Sequence, residues 1–164
     1  GTAGERAALA DAAARLAPFK QSLMQALKGG LAAGPAEAVQ ACRLQAPAIA
    51  ERHSSGVLRV GRASDRLRNP GNTAPDWAAP VLSAWLEEPP SATPMLLDAG
   101  AGRRGYVEPI RVKPLCLTCH GSDVPPAVQA ELDRHYPEDR ATGYAAGDLR
   151  GLFWMEYVPG AAAP

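Results

Sequence analysis

Apolar residues recur at three- and four-residue steps from Leu9 through Ala13, Leu16, Phe19 and Leu23 to Leu27, which puts them on one face of a helix over about Glu5 to Lys28. Gly29-Gly30 is its expected stop. A second helix is expected from Pro35, a favoured first-turn residue, to about His53, with Ala38, Val39, Cys42, Ala46 and Ile49 on its apolar face. Pro47 cannot donate to the carbonyl of Arg43, so this helix should kink just after Cys42. Beyond Gly56 the period changes. Val57 to Arg62 alternates as a strand does, and Arg66 to Asn72 reads as a loop whose turn is shaped by Asn69 and Pro70. A third helix, Pro75 to Glu88, carries Trp77, Val81, Leu82 and Trp85 and stops at Pro89-Pro90. Met95 to Asp98 and Gly105 to Val112, joined by Ala99 to Gly102, form a hairpin signal. A short helix from Pro125-Pro126 to His135 and a strand from Leu149 to Val158 complete the pattern, with no internal repeat.

Helices and antiparallel strands in separate runs define an α+β domain of three to five strands flanked by helices. A chain of 164 residues suits one compact domain, read as an N-terminal helix over residues 1–34 leading into a domain over 35–164. Basic and acidic residues balance at 17 each, which removes the electrostatic case for nucleic acid as a partner. No apolar run reaches the length of a membrane span, and the opening GTAGERAALA has no signal-peptide character. No nucleophile–base–acid grouping, phosphate loop or usefully spaced carboxylate pair stands out, so enzymatic activity is not expected. Glu87-Glu88 is explained as a helix end.

The most specific chemistry lies in CLTCHG, Cys116 to Gly121. In Cys-x-x-Cys-His the two sulfurs can form thioether bonds to the vinyl groups of a haem, while the adjacent imidazole, His120, takes a proximal axial position. One haem c attached through Cys116 and Cys119 is the expected cofactor. A structural zinc site would need Cys42 and a distant histidine to complete four ligands, since no second paired spacing exists. A redox dithiol belongs at a strand-to-helix junction of a βαβ unit, and no such pattern surrounds Lys113-Pro114-Leu115. Covalent haem attachment takes place outside the cytoplasm in bacteria, so the motif implies a periplasmic or otherwise exported protein, with any signal peptide or anchor lying outside this chain. Small electron-carrier cytochromes place the motif near the N-terminus of an all-helical fold, and four-helix haem bundles lack strands. Strand signals on both sides of Cys116 fit neither.

A sixth ligand is left open by the residues themselves. Cys42 is the cysteine that remains after two thioethers and it faces the core, but a lone buried cysteine is ordinarily a small apolar filler. Met24, Met95 and Met155 read as core residues, His53 as a solvated cap-region residue and His135 as surface; an empty sixth position would point to direct gas binding.

Five ordered segments, AVQACRLQAPAIA, VGRASDRLRNPGN, PLCLTCHG, YPEDRATGYAAGDLRG and the closing strand, resemble a family of bacterial single-haem domains long of unknown function, over about residues 35 to 158. The resemblance implies a PAS-like antiparallel sheet flanked by helices. It also implies axial ligation by the motif histidine and a cysteine that maps onto Cys42, making His120 and Cys42 the metal ligands. Members stand alone in the periplasm or precede signalling domains. Within the matching GRASDRLRNP, Arg62, Arg66 and Arg68 cluster where strand gives way to loop and are candidates for binding the haem propionates, against the plainer reading of a solvated basic edge. Tyr144, Gly147 and Asp148 also match, though a loop-to-strand junction explains them. The expected role is a redox or diatomic-gas sensor with a signalling or redox partner; the alternative is a small electron-transfer cytochrome with fixed ligands.

Overall fold

The computed structural model describes residues 1–68 and 70–161. Asn69, to which the sequence assigns a turn-shaping role, lies outside them. Helices α1 (Ala3–Ala33), α2 (Pro35–Gln40), α3 (Ala46–Arg52), α4 (Ala79–Glu87), α5 (Leu117–His120) and α6 (Pro126–His135) surround strands β1 (Leu58–Ala63), β2 (Met95–Gly100), β3 (Arg103–Arg111) and β4 (Leu149–Tyr157). The strands form one antiparallel sheet in the order β1-β4-β3-β2, so the C-terminal strand is central and the β2–β3 hairpin builds one edge. This is the α+β architecture that the pattern predicts, in the PAS-like form that the resemblance implies.

The period-two alternation of each strand separates two cores. Leu58, Val60, Tyr106, Met155 and Tyr157 point to one face, where α1 covers them with Ala12, Leu16 and Phe19. Ala63, Val107, Leu149 and Leu152 point to the other, against Ala78, Leu82 and Trp85 of α4 and the turn before it. A third cluster, Val39 with Val128 and Leu132, docks α2 on α6 and takes in Cys119 at its margin. No helix among the described residues is long and apolar enough to cross a membrane.

Three elements depart from the expected pattern. Helix α1 begins two residues early, on a capping box in which the Thr2 hydroxyl accepts from the Glu5 amide and the Glu5 carboxylate accepts from the Thr2 amide. It then runs straight through Gly29-Gly30 and ends only at Gly34, whose φ of 141° is open to glycine. The reason is tertiary. A Cβ at Gly30 would lie 2.8 Å from the Glu37 carbonyl oxygen and 2.9 Å from the Ala38 Cα, so the glycine lets α2 fold back onto α1 at backbone contact. Helix propensity alone makes Gly30→Ala stabilising by about 1 kcal/mol; the backbone clash makes it destabilising by about 1–3 kcal/mol, the range for overpacking. The expected result is a lower denaturation midpoint in urea, and a raised one would disprove the close approach.

The second departure sharpens the predicted kink. Between α2 and α3 the chain makes a π-helical turn, Ala41–Gln45, in which the Ala46 amide donates to the Ala41 carbonyl. Pro47 has no N–H for the Arg43 carbonyl, and the wider turn absorbs that missing bond. The third is α4, which starts at Ala79 rather than Pro75 because Pro80 fits only a first turn. Trp77 therefore precedes the helix, where its ring covers Gly105 and its indole N–H donates to Glu156 at 2.7 Å.

Candidate haem site

The haem-motif residues are shaped by the prolines and glycines around them. Pro114 opens a single 3-10 turn, Pro114–Cys116, that passes directly into α5, and the Gly121 amide closes the turn on the Leu117 carbonyl at 2.8 Å. Cys116, Cys119 and His120 are thus carried on successive turns of a short helical segment. They face a cavity with about 180 Å³ open to the centre of a water-sized sphere. The π turn brings Cys42 into the same lining, and α1 supplies a wall from Leu23, Met24, Leu27 and Leu31. Ile110, Val112, Leu115 and Phe153 complete the apolar lining. No disulfide joins any two of the three cysteines.

The electrostatics of the cavity are one-sided. Lys20, Arg62, Arg111 and Arg150 line it, and no aspartate or glutamate does among the described residues. Lys20 is paired outside the lining with Glu108 at 2.7 Å, Arg111 donates to the Pro89 carbonyl at 2.6 Å, and Arg150 donates to the Ser64 hydroxyl and the Arg66 carbonyl. Burial pushes the Arg62 pKa down, while Cys42 and Tyr136 act to raise it. Partly buried arginines with no ion-pair partner among the described residues, Arg62, Arg111 and Arg150, call for an anionic occupant.

His120 is set up as a neutral nitrogen donor. Its Nδ1 lies 2.7 Å from the Ala141 carbonyl oxygen, which can only accept, so Nδ1 carries the proton and Nε2 keeps its lone pair. Burial, with the nearby Arg68 and Arg150 charges, pushes its pKa down to about 3 against the opposing pull of that carbonyl. The ring meets Tyr144 edge-on at 6.2 Å between centroids. Among the described residues no three His, Cys, Asp or Glu side chains converge to hold a bare metal ion, so the zinc arrangement lacks a donor set. Donors spread around a cavity suit instead a flat cofactor that brings its own equatorial nitrogens.

The three arginines singled out in the sequence go to different places. Arg62 lines the cavity. Arg66 stacks its guanidinium 4.0 Å from the centre of the Tyr144 ring. Arg68 is buried and pairs with Asp139 at 2.9 Å. Sequence reasoning missed Lys20, Arg111 and Arg150, which are distant in the chain; inward position on α1 and at the strand ends was the available signal. His53 is the C-cap residue of α3, as expected, but half-buried rather than freely solvated: its Nε2 lies 3.1 Å from the Ser22 hydroxyl and its ring packs near Phe19 on α1. Met155 is fully buried as expected and Met24 lines the cavity, but Met95 is exposed, since β2 is an edge strand. His135 is half-buried, 3.5 Å from Glu131.

A PAS-like α+β fold that gathers a Cys-x-x-Cys-His segment, a third cysteine and a cluster of cations around one apolar cavity defines the class of protein. The chain belongs to the Tll0287-like family, whose model matches residues 8–157 and so includes most of α1. Among solved structures, that of the cyanobacterial haem protein Tll0287 matches with a TM-score of 0.64 at 22% identity, covering 99% of this chain and 100% of that one. At this identity the likeness establishes the fold. No curated protein matches the chain in sequence.

Proposed function

We propose that this protein binds one haem c through thioethers at Cys116 and Cys119, with His120 and Cys42 as axial ligands, and that it serves as a redox or gas sensor. The observation that carries the reading is that all three cysteines and His120 line one cavity, together with four cations and, among the described residues, no carboxylate. Support also comes from the family, in which a relative is described as a haem protein. Haem bound here would supply a one-electron ferric–ferrous couple. The protein's part is to present neutral Nε2 of His120 from one side and the Cys42 sulfur from another, and to screen them from water with Leu23, Leu27, Leu31 and Phe153. Arg62 and Arg150, with Arg111 and Lys20, are the groups that would hold the propionates. Covalent attachment of this kind carries with it a periplasmic or exported location.

Sensing is favoured over simple electron transfer by where Cys42 sits. It belongs to a π turn, a helical irregularity that can rewind, and the turn lies between α2 and α3, both of which pack on α1. A change at the Cys42 sulfur therefore has a mechanical route to the N-terminal helix. The test is Cys42→Ala in the haem-loaded protein. The absorption spectrum of the oxidised form should change and added imidazole should bind at least about tenfold more tightly, the gain expected where a competing ligand is removed. Unchanged spectra would remove Cys42 as a ligand and leave Met24, which lines the same cavity, as the sulfur donor to examine next.

A further inference from the structure

Arg68 does not line the cavity, yet its side chain is only 7% exposed and is tied into the residues that hold His120. Its Nε and Nη2 donate to the two oxygens of Asp139 at 2.9 and 3.1 Å, a bidentate fork. The same Nη2 also lies 2.5 Å from the Cys119 carbonyl oxygen and 3.3 Å from the Ala141 carbonyl oxygen, so that its two protons serve three acceptors and the Ala141 carbonyl takes the longer arm of a three-centre bond. Asp139 in turn accepts from the Ala141 amide at 3.1 Å. The Ala141 residue is thus gripped at both ends, and its carbonyl is the one that accepts Nδ1–H of His120 at 2.7 Å. A further bond, from the Arg140 amide to the Leu67 carbonyl, runs beside the fork and fixes the two loops together.

We infer that Arg68 is a positioning residue for His120: by sharing the Ala141 carbonyl it fixes the direction of the imidazole and limits how strongly its Nδ1–H is drawn away. The inference rests on the haem reading above. A carbonyl that already accepts from a guanidinium has less electron density for a second donor. Withdrawing Arg68 frees that density, pulls the Nδ1 proton harder and makes Nε2 a more electron-rich ligand, which favours the oxidised metal. The sequence offered Arg68 as a candidate for the propionates or as part of a solvated basic edge; its bonds instead run to Asp139, Cys119 and Ala141.

Arg68→Lys in the full haem-loaded protein is the decisive variant, because it keeps the charge and loses the planar fork. At a fixed solution potential its ferric-to-ferrous ratio should rise by on the order of tenfold, equivalent to about 59 mV for a one-electron couple. The low-temperature paramagnetic resonance g-values of the ferric form should move as well, since they report the imidazole orientation. If Arg68→Lys does not accumulate, Arg68→Gln serves, with the same direction expected. A purely structural arginine would lower the urea midpoint but leave the ratio and g-values as in the wild type, and that result overturns the inference. Absence of covalently held haem from the wild type would instead overturn the haem reading itself.

Discussion

Replacing both Cys116 and Cys119 with serine is expected to abolish all haem that survives acid–acetone extraction, taking the retained fraction from nearly complete to background. A thioether resists extraction, whereas axial bonds from nitrogen or sulfur are released once the protein is denatured in acid. The two sulfurs stand three residues apart on one short helical segment facing the cavity, whereas Cys42 belongs to a separate element, the π turn, and lacks the motif spacing. Either single variant should keep one link and retain part of the haem, with a pyridine haemochrome maximum shifted by the remaining unsaturated vinyl. Expression must be in cells with a working attachment system, and the readout is the pyridine haemochrome after extraction. Wild-type protein that loses its haem in acid–acetone would end the covalent proposal, and a double serine variant that keeps it would show that the motif is not the attachment site.

Asp139→Ala should be the most destabilising single change near the site. The Arg68 and Asp139 side chains are 7% and 10% exposed, and removing the carboxylate leaves a guanidinium buried without its counter-charge. Breaking a buried pair in this way costs about 3–5 kcal/mol. For a chain of this size that corresponds to a fall in Tm of roughly 6–20 °C. The pH dependence has a definite sign. Burial alone would raise the Asp139 pKa, but hydrogen bonds from Arg68 and from the Ala141 amide outweigh it and hold the carboxyl below its ordinary value. The folded state therefore binds this proton less readily than the unfolded chain does. The contribution is fully present above the unfolded carboxylate pKa, about pH 4, and is lost as the pH falls from there through the folded value. Urea midpoints measured from pH 6 down to pH 3 should decline more steeply for the wild type than for Asp139→Asn. Parallel curves would mean that the pair contributes no pH-linked stability.

The fold was largely readable because each strand announces itself locally. The alternation in Val57 to Arg62, the glycines between Met95 and Val112 and the aromatic and branched residues of the last strand all act over a few residues, and all became strands of the sheet. Cys42 could be placed inward from helix period and Pro47 alone. What could not be read depends on partners remote in the chain. Gly30 looks like a helix stop until α2 is laid against it. Arg68 looks like a surface cation until Asp139, 71 residues on, closes over it. The cavity cations Lys20, Arg111 and Arg150 carry no shared motif, because charge lining a cavity needs only proximity in space. Met95 reads as core from its apolar neighbours, yet an edge strand has one side with no neighbouring strand.

The π turn has a further consequence for how this chain can vary. Helical residues are wound at about 100° each, so a wide turn of one extra residue works as a phase setter between two buried faces, Ala38 and Val39 before it and Ala46 and Ile49 after it. Substitution of the exposed Leu44, 57% accessible on the outer side, leaves that phase intact. Deleting the same residue would restore regular winding and swing one face about 100° out of register, carrying either Cys42 off the cavity or Ile49 off the core. On its outer side, at Leu44, the π turn is therefore tolerant of substitution yet intolerant of a change in length, a constraint on insertions and deletions that the exposed side chain itself would not reveal.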